Sequence, residues 1–241
     1  MLIRACFRFE GELNDFLAPE KENLEFEHLV GVTDTLKHLI ESIGVPHTEI
    51  ESVHVNGKAR ALSEKLESGD RVHVFPHATP VRLRSARFVI DGHLGRLAAY
   101  LRMLGFDTSY DRAADDKLLA ALASAEQRLV LTRDVGLLKR REIEQGYCVR
   151  SDKPRDQLRE VTQRFALASQ FDPFSRCMDC NGQLCPAPKE EVVDTLPPHT
   201  RETKNHFSRC THCGKVFWRG THYERMLGWI EELREQARLC S

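Results

Sequence analysis

Apolar and polar positions change period several times along the chain, and each change marks an element. Residues 2–9, Leu-Ile-Arg-Ala-Cys-Phe-Arg-Phe, alternate with a period of two and predict a half-buried strand. The polar stretch from Asn14 to Asn23 predicts a turn, and Leu24 to Leu29 alternates again. Thr33-Asp34 then stands as a cap before Leu36, Leu39, Ile40 and Ile43, which share one helical face as far as Gly44. Val53-His-Val55 runs into Asn56-Gly57, a strong hairpin signal, and Ser68 to Pro76 predicts a turn and a last strand. The order is β-β-α-β-β.

From residue 88 onward the period differs. Val89-Ile90 and Val130-Leu131 lie in short continuous apolar runs, the pattern of parallel strands buried on both faces. Between them, Leu94, Leu97, Ala98, Leu101 and Leu104 recur at helical spacing, with Arg96 and Arg102 toward other faces and Gly105 as the stop. Phe106 to Tyr110 predicts a short strand, and a second helix opens at Asp115-Asp116. Tyr147 to Val149 predicts a further strand. Lys153 to Ala168 predicts a helix with Leu158, Val161 and Phe165 inward, and an amphipathic helix runs from Tyr223 to Arg238. This alternation defines an α/β fold.

Composition narrows the class. At 41% hydrophobic and 29% charged residues, the 241-residue chain reads as an ordinary globular protein. No apolar run approaches the ~18 residues of a membrane span. The first residues lack the order of a signal peptide, so a cytoplasmic location is expected. Eight cysteines without an export signal argue for metal binding over disulfides. The net charge of −1 conceals an asymmetry: residues 1–80 hold 14 acids and 8 Lys/Arg, giving −6, and residues 81–241 hold 22 acids and 27 Lys/Arg, giving +5. A polyanionic partner suits only the second part.

Two of the apolar runs lead into aspartates. Asp91 and Asp134 follow the predicted strands, where open α/β sheets carry their reactive groups, and Asp116 opens the intervening helix. Together they suggest a site for Mg²⁺ or Mn²⁺, hard cations that take oxygen ligands and retain waters. Asp115 and Asp116 equally fit a helix cap, and Asp134 a turn residue before Val135-Gly136. Arg133 sits beside the acids, and Lys139-Arg140-Arg141 offers phosphate contacts or a solvated helix face.

Cys177-Met-Asp-Cys180 and Cys210-Thr-His-Cys213 are two Cys-x-x-Cys turns separated by 29 residues. Two such knuckles supply four thiolates, a closed structural zinc site. Cys6, Cys148, Cys185 and Cys240 are left as free thiols. Around the second knuckle, Phe207, Phe217, Trp218 and Tyr223 interleave with cations, a pattern that suits single-stranded RNA or simply packs a small module.

The acidic positions, with Arg96 to Asp107, the paired knuckles and Phe217-Trp-Arg-Gly-Thr-His222, resemble the Mut-seven C-terminal RNase domain family, a PIN-like nuclease fold with a zinc ribbon. Residues 1–78, ending Gly-Asp-x-Val-x-Val-Phe-Pro, resemble ubiquitin-like β-grasp proteins of the sulfur-carrier type, without the terminal Gly-Gly that a carrier activates. The expected domains are therefore a β-grasp domain (1–78), a PIN-like domain (86–170) and a zinc ribbon with its helix (171–241). The resemblance implies RNA hydrolysis by Asp91, Asp116 and Asp134 with Mg²⁺ or Mn²⁺, and Asp115 as a possible fourth acid. Arg133, Lys139 and Arg140 would contact RNA, and the β-grasp domain would meet a protein partner. The competing expectation is a non-catalytic RNA-binding adaptor.

Overall fold

The computed structural model describes residues 2–239, so Cys240 lies outside the described residues. In chain order the strands and helices are β1 (Leu2–Phe9), β2 (Phe26–Gly31), α1 (Leu36–Ile43), β3 (Ile50–Val55), β4 (Lys58–Arg60) and β5 (Arg71–Pro76). Then come β6 (Arg87–Ile90), α2 (Gly95–Met103), β7 (Asp107–Tyr110), α3 (Asp116–Glu126), β8 (Leu129–Thr132), α4 (Val135–Leu138), β9 (Gly146–Cys148) and α5 (Pro154–Arg164). The last part holds β10 (Leu184–Ala187), α6 (Lys189–Val192), α7 (Pro198–Thr203), β11 (Phe207–Cys210), β12 (Val216–Trp218) and α8 (Thr221–Leu239). The chain forms two compact units, each built from two segments: 1–81 with 115–148, and 82–114 with 149–241.

In the first unit, β1 to β5 make a five-stranded sheet in the order β2-β1-β5-β3-β4. The β1–β5 pair is parallel and the others are antiparallel. Alternation along β1 turns Ile3, Ala5, Phe7 and Phe9 inward against Leu36 and Ile40 of α1 and Val72 and Val74 of β5. Each such large apolar side chain contributes about 1.5–3 kcal/mol on burial. The helix begins later than Thr33-Asp34 suggests. Thr35 is its cap, accepting from the His38 N–H at 3.3 Å, because the Asp34 carboxylate accepts from Gly31 N–H at 3.1 Å and closes the turn after β2. Gly44 ends α1 at φ +140°, where a Cβ would meet the Phe16 carbonyl oxygen at 2.6 Å. Both turn residues of the β3–β4 hairpin, Asn56 and Gly57, have positive φ, which matches the right-handed twist of the strands. β4 is exposed throughout, so no apolar period announced it.

The second segment of this unit carries α3, the parallel β8–β9 pair and α4. It is hydrogen-bonded to the β-grasp segment. The buried Glu49 carboxylate accepts from the Cys148 N–H at 2.6 Å, and Lys139 Nζ donates to the Glu41 carbonyl at 2.7 Å. His47 lies 2.7 Å from the Glu41 carboxylate through Nδ1 and 3.0 Å from the Ile143 carbonyl through Nε2. Gly146 packs so closely here that a Cβ would meet Leu138 Cδ2 at 2.5 Å.

The second unit holds the parallel β6–β7 pair, α2 and α5, and the antiparallel β10-β11-β12 sheet of the ribbon. Leu97, Ala98 and Leu101 of α2 are buried, as are Leu158 and Val161 of α5. Tyr100 meets Trp229 of α8 edge to face at 4.8 Å, and Arg159 donates to Gln236 at 3.1 Å, so α8 is anchored to both helices. The ribbon is joined to the α/β part through backbone: Asp172 N–H donates to the Leu104 carbonyl and Phe174 N–H to the Met103 carbonyl, each at 2.9 Å. Gly105, at φ +96°, permits this approach, since a Cβ there would lie 2.3 Å from the Asp172 carbonyl oxygen.

Candidate functional site

The four ribbon cysteines converge into a group able to hold a metal ion. Their sulfurs all lie within 4.8 Å of one another, with Cys177–Cys213 at 3.8 Å and Cys180–Cys210 at 3.4 Å. Four thiolates each about 2.3 Å from a tetrahedral ion would be separated by roughly 3.8 Å, so the donor set and spacing fit a metal ion such as zinc. The sequence dictates this convergence locally. Asn181 takes a left-handed conformation at φ 68° directly after Cys180, and Gly214 does so at φ +73° after Cys213. Each knuckle closes when the N–H of Asn181 or Gly214 donates to the carbonyl of Cys177 or Cys210, at 2.9 and 3.1 Å. Gly182 is required by contact: a Cβ there would lie 2.8 Å from Cys210 Sγ and 2.7 Å from His212 Cβ.

The four sulfurs differ electrostatically. Burial pushes the Cys177 thiol up to about 12. Burial also opposes ionisation of Cys210, but the N–H groups of Cys213 and His212 and the neighbouring sulfurs bring it down to about 6. A cation binding all four must therefore displace protons, with Cys177 the most reluctant.

Beneath the first knuckle lies Arg102, a residue the helical period assigned to another face of α2. It is 4% exposed. Its guanidinium donates to the carbonyls of Thr108 at 2.9 Å, Asp179 at 2.8 Å and Met178 at 3.2 Å. Burial lowers its proton affinity, and the sulfurs of Cys180 and Cys177 oppose that shift. A planar fork of donors can bind three carbonyls at once, which explains a buried arginine where the period expects a solvated one. Asn181 adds a second link, donating to Asp107 at 2.8 Å and accepting from Thr108 N–H at 3.0 Å. Lys215 pairs with Asp179 across the two knuckles.

The acidic residues stand at element ends. Asp91 directly follows β6, and its carboxylate accepts from His93 N–H at 3.4 Å. Tyr110, at the end of β7, holds the following loop by donating to the Gly92 carbonyl at 3.0 Å. Gly95 packs against the same ring, where a Cβ would lie 2.5 Å from the tyrosine oxygen. No apolar or polar period pointed to this tyrosine. Asp91 belongs to the second unit, and Asp115, Asp116 and Asp134 belong to the first.

Asp115 caps α3, accepting from Leu118 N–H at 2.8 Å. Asp116 is exposed in the first turn of that helix and makes no hydrogen bond or ion pair among the described residues. Asp134 caps α4, its Oδ1 accepting from Gly136 N–H at 2.7 Å and Leu137 N–H at 3.4 Å, which leaves Oδ2 uncommitted. Arg133 is exposed, Lys139 is engaged by Glu41, and Arg140 lies 3.9 Å from Glu142.

A parallel α/β fold with a four-cysteine ribbon, preceded by a β-grasp domain, is the class of protein that fold and site define. The chain belongs to the Mut7-C RNase domain family, which matches residues 86–230, and the Mut7-C ubiquitin domain matches residues 3–82. Among solved structures, small archaeal modifier protein 1 of H. volcanii is 18% identical. It covers 32% of this chain and 99% of its own, with a TM-score of 0.26. The Haloferax volcanii HVO 2177 protein is also 18% identical, covering 33% of this chain and 88% of its own, with a TM-score of 0.28. No curated protein matches. Among the described residues, no helix is long and apolar enough to cross a membrane.

Proposed function

We propose that the protein is a ribonuclease that hydrolyses RNA phosphodiester bonds with Mg²⁺ or Mn²⁺ held by Asp91, Asp116 and Asp134. The reading rests on membership of an RNase domain family over residues 86–230, within which these carboxylates fall. Oxygen-only donors of this kind suit hard cations. Such an ion supplies a water of lowered pKa and polarises the phosphate. Asp134 keeps Oδ2 for this purpose while Oδ1 is pinned by two N–H groups, and Asp116 has both oxygens available. Asp115 is the candidate fourth acid, with one oxygen already used as a helix cap. Arg133 and Arg140 are the proposed phosphate contacts; Lys139 would join them only by leaving the Glu41 carbonyl. Zinc is the metal proposed for the four cysteines, in a structural role.

The test is cleavage of a mixed RNA pool by the full chain in Mg²⁺ or Mn²⁺. Asp134→Asn keeps the shape and removes the charge, so turnover should fall by orders of magnitude with zinc content unchanged. Equal activity of that variant and the wild type would remove the proposed site. A second reading is favoured by the matched ubiquitin-like domain: an adaptor that binds RNA and recruits a protein through residues 3–82 without cleaving.

A further inference from the structure

Beside the four cysteines, a cavity of about 690 Å³ opens between the ribbon strands and the start of α8. Its lining contains no aspartate or glutamate but includes three cations, Arg176, Lys215 and Arg219. Beside Phe207, the aromatic rings of Phe174, Phe217, Trp218 and Tyr223 line it as well. The ribbon does not need those rings for its own core, which is made by Val192, Leu196 and Phe207 with Ala187 and Val216 packed against them. Trp218 remains 36% exposed at the end of β12.

The rings are already arranged with cations. Lys215 lies 5.7 Å from the centre of Phe217 and Arg219 5.7 Å from that of Tyr223. No acidic side chain pairs with Arg219 among the described residues, so its charge is available to a ligand. Phe174 meets Tyr223 with ring centres 4.5 Å apart and the planes tilted by 36°. It does so from φ 62°, a conformation that costs a bulky residue energy, and its N–H is held by the Met103 carbonyl. The chain thus holds a phenylalanine in a strained conformation to complete a ring wall.

We propose that this groove binds single-stranded RNA, with a base stacked on Trp218 and the backbone phosphates drawn by Arg219, whereas Lys215 is already paired with Asp179. Planar rings without a polar code accept any base, and a lining without carboxylates does not repel the phosphates. The identification of the strand as RNA rests on the proposed ribonuclease function. The groove would then hold substrate independently of the acidic residues.

The experiment is fluorescence anisotropy of the full zinc-loaded chain with a labelled 12-nucleotide oligoadenylate and no added divalent ion. Trp218→Ala should weaken binding about tenfold, Trp218→Phe should retain most of it, and Arg219→Glu should weaken it further. All should keep wild-type zinc content and circular dichroism. An RNA duplex of the same length should bind less tightly and without sensitivity to Trp218.

The proposal is overturned if Trp218→Ala and Arg219→Glu both bind within twofold of wild type. It is also overturned if the duplex binds equally well with the same sensitivity, or if AMP binds as tightly as the oligomer, which would define a mononucleotide pocket. Cleavage by the same preparations separates the two proposals. Binding that depends on Trp218, with Asp134→Asn as active as wild type, removes the nuclease site and keeps the groove. The converse pattern removes the groove and keeps the nuclease.

Discussion

Arg102 offers the sharpest test of how the ribbon is held. Arg102→Met keeps an unbranched apolar stem within α2 and deletes all three hydrogen bonds. A hydrogen bond from a charged donor contributes about 1.5–3 kcal/mol, and a buried acceptor left unpaired costs about 1–3 kcal/mol. The Thr108 carbonyl is deeply placed and takes the full effect, whereas the carbonyls of Met178 and Asp179 are partly accessible and recover some hydration. Counting each bond at the charged-donor figure, with those two at about half strength, gives a loss of roughly 3–6 kcal/mol, a large share of the ~5–15 kcal/mol that holds a typical domain. Because two of the three acceptors belong to the first knuckle, the zinc should also escape faster. Urea unfolding followed by circular dichroism measures the first effect, and capture of zinc by a chromogenic chelator measures the second. Arg102→Lys should fall between, since an ammonium cannot span three carbonyls. An Arg102→Met protein with the wild-type urea midpoint and zinc release rate would refute the reasoning.

Cys210→Ser should abolish stoichiometric zinc binding and unfold the ribbon, read by elemental analysis and proteolysis, because coordination free energy is folding free energy in so small a module. Glu49→Ala should lower stability by roughly 1–3 kcal/mol by leaving the Cys148 N–H without that carboxylate, measurable as a lower melting temperature. Burial, with Lys21 adding to it, lowers the pKa of His28, so the native state favours the neutral ring. That contribution is complete above the unfolded value of about 6.5 and is lost as pH falls from there through the lower folded value. His28→Gln should flatten the corresponding slope of urea midpoints between pH 5 and 7.5. Gly95→Ala should drive Tyr110 off the loop that follows Asp91 and reduce RNA cleavage while leaving zinc content intact.

What the residues announce in advance is whatever has a period or a fixed spacing. The inward face of β1, the buried runs of β6 and β8, the Asn56-Gly57 hairpin and the four cysteines are all of this kind. β4 is exposed on every side chain and has no period to read. The Thr35 cap was displaced because Asp34, an equally good cap by type, is used by the Gly31 turn. Arg102 and Tyr110 escaped for a different reason. Their partners are backbone carbonyls, at residues 178–179 for Arg102 and at residue 92 for Tyr110, and a carbonyl leaves no mark on a one-dimensional pattern.

The chain passes between its two compact units three times, near residues 81, 114 and 148. During synthesis, the β-grasp core, which draws only on residues 3–74, can form first. Its unit stays incomplete until residue 148 has left the ribosome, and the other unit must wait for α8. Residues 82–114 therefore emerge well before the segment that completes their unit, and carry Val89, Ile90, Leu97 and Leu101 as temporarily uncovered apolar surface. Premature termination between residues 114 and 149 would release a chain with that surface still open, a natural substrate for chaperones and proteases.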